Sequence, residues 1–132
     1  PIERLHAAET ADLEETLQQV GAILVANILT PEGLRLMRIT NAESIRMPEI
    51  AEYTVREGTA ATMQFLADLF RRRLTDPRPD AAEAQDAANA FLHLVVGGPA
   101  STMAWGVHLG DEEIERTTRY SVHLFLNGLL HR

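Results

Sequence analysis

The residues able to do chemistry are few and scattered. Five histidines (His6, His93, His108, His123 and His131) stand beside no cysteine at all. Without cysteine there is no thiolate nucleophile, no thiolate zinc site and no disulfide framework. A di-metal centre in a helical bundle takes two Glu-x-x-His pairs and two further glutamates from facing helices. Only Glu3-x-x-His6 has that spacing, one of the two pairs such a site needs. The nucleophile-elbow, dinucleotide, phosphate-loop and H-E-x-x-H patterns are all missing. The expectation is a protein without catalytic residues, metal or cofactor.

What remains is polar residues set among apolar ones. Asn27 interrupts the run from Ala22 to Leu29, and Arg38 and Asn41 share a helical face with Leu34 and Ile45. A buried polar group needs a hydrogen-bond partner. Each of the three is therefore either an interhelix or helix-terminus bond, or a polar anchor in a ligand cavity, since such cavities are mostly apolar with a few placed polar groups. Met37, Met63 and Met103 suit an adaptable cavity lining or plain core filling. His93 and His123 fall opposite the apolar arcs of their segments, which places them at a rim, and His108 lies in a link that could sit near a pocket mouth.

The elements that position these residues are helices. Thr30-Pro31, Met47-Pro48, the stretch Asp76-Pro77-Arg78-Pro79-Asp80 and Leu109-Gly110-Asp111 punctuate the chain. Proline suits the first helical position, and Thr30 reads as the N-cap before it. Asp80 with Glu83, and Asp111 with Glu112 and Glu113, put acid at helix starts, while Arg71-Arg72-Arg73 puts cations at a helix end. No segment alternates for long enough to make a strand. Four major helices are predicted near 12–29, 48–74, 80–105 and 111–131, with a shorter one near 31–46; the 48–74 helix would be about 40 Å long. Gly97-Gly98-Pro99 falls inside a helical pattern, as a plain break or as a kink that opens space beside Ser101, Thr102, Met103 and Trp105. The whole of 1–132 reads as one all-α domain.

Wheel positions separate these helices. The 48–74 helix is one-sided, its apolar and small arc centred on Ala51, Gly58, Thr62, Phe65 and Leu69. The 12–29 helix is amphipathic at first and apolar almost all round from Gly21, so other helices must surround that half. In 80–96 and 111–131 the apolar arc is about 200° wide, against the roughly 100° that one core requires. The surplus is explained by a second copy of the chain forming an intermolecular four-helix bundle, or by deep burial of both helices in one subunit. The interface candidates are Phe91, Leu94, Ser121, Val122, Leu124, Phe125, Gly128 and Leu129.

The chain has 132 residues, 12 basic (all arginine) and 19 acidic, for a net charge of −7. Gripping phosphates takes a basic face, so these residues are not expected to bind nucleic acid by themselves. No apolar run approaches the roughly 18 residues of a membrane span, and Pro1-Ile2-Glu3-Arg4 does not open a secretory signal. No membrane partner is expected, and a cytoplasmic location is. A chain opening on Pro1 rather than methionine is expected to be processed or part of something longer.

The stretch LTPEGLRLMRITNAESIRMPEIAEYTVREGTAATMQFLADLFRRR, followed by NAFLHLVVGGPASTMAW and DEEIERTTRYSVHLFLNGLL, resembles the C-terminal regulatory domain of TetR/AcrR-type transcriptional repressors, in the AefR-like branch. The resemblance covers about residues 12–131. It implies an all-helical bundle of about five helices whose last two form the dimer bundle, and an effector pocket among the central helices. Carried over helix by helix, the pocket candidates are Leu24, Asn27, Met37, Asn41, Thr62, Phe65, Leu66, Leu69, Met103 and Trp105. The implied partners are a second copy of the chain, a small apolar or amphipathic effector, and operator DNA through an N-terminal helix-turn-helix head that nothing here matches. The alternative is a dimeric all-helical interaction module with no small-molecule ligand.

Overall fold

The computed structural model describes residues 2–131, and among them there are helices and no strands. In order these are α1 (Ile2–Ala7), α2 (Leu13–Ile28), α3 (Pro31–Glu43), α4 (Pro48–Thr54), α5 (Ala60–Arg73), α6 (Ala81–Phe91), α7 (Gly98–Ala104) and α8 (Asp111–Leu130). Two π-helical stretches complete the rods: Val55–Thr59 joins α4 to α5, and Leu92–Gly97 joins α6 to α7. The five expected helices are thus present, two of them carrying a widened turn. No single helix among them is long and apolar enough to cross a membrane.

Local chemistry sets the boundaries. Thr30 Oγ1 accepts from the Gly33 amide at 3.0 Å, Asp80 Oδ1 from the Glu83 amide at 2.8 Å, and Asp12 Oδ1 from the Glu15 amide at 3.1 Å. Each satisfies an amide that the first helical turn leaves unpaired. Between α2 and α3 the chain bends by 73°. A Cβ on Gly33 would come within 2.4 Å of the Ile28 carbonyl oxygen, so this corner closes only around glycine.

The core lies where α2, α5, α6 and α8 meet. Leu17, Val20, Leu66, Leu69, Phe70, Phe91, Val95 and Val122 are almost wholly enclosed. Each such side chain contributes roughly 1.5–3 kcal/mol by leaving water. Half-buried Phe125 lies 5.7 Å from Phe70 and 5.3 Å from Phe91, centroid to centroid, the second pair edge-on.

Helix α1 has no counterpart in the sequence reading. Six residues are too short to persist as a free helix, so docking holds them. Leu5 and Ala8 are buried against the core, and the His6 ring stands edge-on to Phe65 at 5.0 Å. Arg72 donates through both terminal nitrogens to Glu9, at 3.0 and 3.1 Å, and Arg73 donates to Glu9 at 2.9 Å and to the Thr10 and Ala11 carbonyls. These arginines therefore do more than complement the dipole of α5. Their hydrogen bonds, Arg72's foremost, hold the Glu9 carboxyl below the usual carboxylate range against the opposing effect of burial.

Three outcomes follow from this packing. Gly33→Ala is expected to destabilise by about 1–3 kcal/mol in urea unfolding, because backbone must move to admit the methyl. Thr118 is buried and its hydroxyl has no partner among the described residues. Thr118→Val is therefore expected to raise the urea midpoint, by about 1 kcal/mol, since it removes an unpaired polar atom at nearly constant shape. A depressed carboxylate stabilises above its unfolded pKa and loses that contribution as pH falls through the folded value. Glu9→Gln should thus melt lower than the parent chain at neutral pH, the two curves converging in acid below the carboxylate range.

A candidate ligand cavity between two widened helical turns

The two π-helical stretches face a common space. In the first, the Ala60 amide donates to the Val55 carbonyl, five residues back. Gly58 and the β-branched residues Val55 and Thr59 hold an ordinary helix weakly, which makes the wider turn accessible there. In the second, Pro99 follows directly after Gly98 and brings no amide to the preceding turn. Gly97-Gly98-Pro99 is no plain break, since the helical rod passes through it from the π stretch into α7. Such turns often sit at functional sites.

Between them and α2 lies a cavity of two lobes, of about 400 and 230 Å³. Leu24, Asn27, Gly58 and Thr62 belong to both lobes. The larger lobe is closed by Ile2, Glu3 and Leu5 of α1 and by Ile23, Glu57 and Ala61; the smaller reaches Ile28, Thr59, Leu92 and Val96. The side chains of Asn27, Thr59 and Thr62 have no hydrogen-bond partner among the described residues, whereas the hydroxyls of Thr54, Thr102 and Thr117 bond to carbonyls four residues back. Walls that mix apolar side chains with free polar groups suit a small amphipathic molecule.

A larger groove, of about 600 Å³, runs between α2 and α8 over Ala22, Val25 and Ala26. Size alone would favour it. Its rim is already occupied, however: Gln18 donates to the Arg119 carbonyl at 3.0 Å, Arg119 pairs with Glu115 at 2.8 Å, and Gln19 reaches Glu15. Those groups have partners of their own, the buried Thr118 hydroxyl excepted, and the smaller cavity, on which both widened turns and α1 converge, is the better candidate.

Of the ten pocket candidates from the sequence, Leu24, Asn27 and Thr62 come together in this cavity. Phe65, Leu66 and Leu69 follow Thr62 on the same face of α5 but lie deeper and fill the core. Met37 and Asn41 on α3, and Met103 and Trp105 at the end of α7, lie outside the lining. Arg38 occupies that region, donating to the Met103 and Ala104 carbonyls at 3.1 and 2.9 Å and so capping α7. Met103 Sδ accepts from the Leu109 amide at 3.0 Å, and Trp105 is 76% exposed. Helix-level assignment could not say where α3 and α7 would meet, which sets Met37, Asn41, Met103 and Trp105 apart from this lining, nor how deep Phe65, Leu66 and Leu69 would lie. The residues it missed include Ile2, Glu3 and Leu5, which reach the site only because α1 docks.

The surface of α6, α8 and the second π stretch also sorts its candidates. Leu94, Leu124 and Gly128 are exposed, and Ser121, Phe125 and Leu129 are partly buried. Leu94, Leu124, Phe125, Gly128 and Leu129 line one shallow apolar groove. Phe91 and Val122 are instead fully enclosed in the subunit's own core, where they cannot meet another chain.

The family profile described as "AefR-like transcriptional repressor, C-terminal domain" matches residues 15–128. The chain belongs to this family. An AefR-like C-terminal domain is an all-α regulatory unit of the TetR family, with a general role in ligand binding and dimerisation and no enzymatic activity of its own. The matched span takes in both π stretches and every lining residue except the three from α1. No curated protein and no solved structure matches the chain significantly.

Filling a ligand space should leave the fold intact. Gly58 lines both lobes, and a Cβ there would meet no atom within 4 Å. Gly58→Leu is expected to hold or raise the thermal midpoint, by up to about 1 kcal/mol as glycine leaves a helical position. A large loss of stability would mean that the space is filled in solution.

Proposed function

We propose that residues 1–132 act as one effector-sensing and dimerising domain of a TetR-type repressor, taking a small apolar or amphipathic molecule between α2 and the two π-helical stretches. The observation that carries this is the coincidence of the cavity with both widened turns, together with the unpaired polar groups of Asn27, Thr59 and Thr62. On this reading, operator contact belongs to a helix-turn-helix head outside these residues, in keeping with their net charge of −7.

The mechanism is a shift between two arrangements. A ligand moves such a balance only by its difference in affinity for the two states, and full reversal from 1:99 to 99:1 takes about 5.5 kcal/mol. The π stretches are where that difference would arise. Each closes its hydrogen bonds over five residues where an α-helix spans four, and tightening either one turns the helix beyond it. Beyond Leu92–Gly97 lies α7, and before it lies α6, which carries one wall of the apolar groove. Ligand occupancy is thereby coupled to the face on which a second copy would pack.

The test has two arms. Decanol, a neutral amphiphile, is expected to raise the thermal midpoint of the chain, approaching 2.7 kcal/mol at about one hundred times its dissociation constant. Gly58→Leu should lose that response. In light scattering the chain is expected to be a dimer, and Leu124→Arg, at a site 52% exposed, should give a folded monomer. A dimer with no response to any apolar molecule would favour the interaction module without ligand.

A further inference from the structure

We infer that the cavity selects amphiphiles with a cationic head group and disfavours carboxylates and sulfates. This rests on the ligand-binding reading above and adds to it the sign of the ligand's charge. The apolar part of such a molecule has a place among Ile23, Leu24, Leu92 and Val96. The charged residues lining the two lobes are Glu3 and Glu57, and among the described residues no arginine or histidine lines either one.

The two carboxylates come from separate elements, α1 and the first π stretch, and both are solvent-exposed. Glu3 has no ion-pair partner among the described residues. Glu57 has its sequence neighbour Arg56 at 3.4 Å, with the two side chains 57% and 67% exposed. Exposed pairs of this kind hold weakly, so a ligand cation can compete for Glu57. An anionic head would meet two like charges and no lining base. The free amide of Asn27 and the hydroxyls of Thr59 and Thr62 accept a polar head of either kind, and so do not counter the bias set by the glutamates.

The experiment is isothermal titration of the whole chain with three probes of one chain length, each below its micelle concentration: decyltrimethylammonium, decanol and decyl sulfate. The cation is expected to bind tightest and the sulfate weakest, with about a tenfold step in favour of the cation over decanol at low salt. In the double variant Glu3→Gln, Glu57→Gln, both sites being exposed, the fold should persist and the step should shrink to within about threefold. Added salt should shrink it in the same way. Cation binding that survives Gly58→Leu would overturn the inference, because the detergent would then be adsorbing elsewhere. Equal binding of cation and decanol, both lost in Gly58→Leu, would overturn the charge preference and leave the cavity standing. Binding of none of the three would remove the cavity reading, and the inference with it. Tightest binding by the sulfate would reverse the proposed sign.

Discussion

The packing depends on how closely α2 approaches its neighbours, and Gly21 sets that distance. A Cβ at this position would lie 3.2 Å from Val95 Cγ1 and 3.3 Å from Val122 Cγ2. Both are tighter than side chains ordinarily accept, and both valines are fully buried. With hydrogen in place of a methyl, α2 seats against the second π stretch and α8 together. Its Leu17, Val20 and Val25 then join the core, and Leu24 and Asn27 are left facing the cavity. A larger residue at 21 would push α2 outward and alter the core and the site in one movement.

The second organising feature is the pair of widened turns. In a regular helix every interior amide meets a carbonyl four residues back, and the side chains follow an unbroken spiral. An extra residue interrupts that spiral and re-aims what comes after it. Gly58 in the π stretch and Thr62 just beyond it line the cavity, while Phe65, Leu66 and Leu69, farther along the same face of α5, fill the core. One rod thereby serves a ligand space at one end and a packed interior at the other. Core polar atoms such as the Thr16 hydroxyl are bonded to the Asp12 and Thr10 carbonyls, the buried Thr118 hydroxyl being the exception, and the side chains of Asn27, Thr59 and Thr62 stand unbonded among the described residues at the cavity.

Electrostatics fastens the site's outer wall. Glu9 ties α1 to the end of α5 through two arginines, and α1 brings Ile2, Glu3 and Leu5 over the larger lobe. The pairing is partly shielded from solvent, with Arg73 and Glu9 only 20% and 24% exposed. It is therefore less screened than the open pair Arg119–Glu115. A six-residue helix with one deeply buried leucine would otherwise have little to keep it in place.

The amino-acid sequence by itself determined the helices, their caps and the family. Helical periodicity and N-capping act within a few residues, so the Thr30 and Asp80 starts and the five helical spans were legible, as was the block pattern that the family profile matches over 15–128. The family resemblance also named Leu24, Asn27 and Thr62, which the packing brings to one cavity, but helical periodicity did not single them out. It could not place Arg38, whose role as a cap on α7 depends on a contact sixty-six residues away. Nor could it reveal the π turns, which shift the helical phase partway along, or α1, which forms only by docking. Tertiary structure alone decided which side of each wide apolar arc is core and which is free: Phe91 and Val122 went inward, and Leu94 and Leu124 stayed at the surface. A wheel assumes one phase along a whole helix, and the direction of a neighbour is a property of the packed bundle.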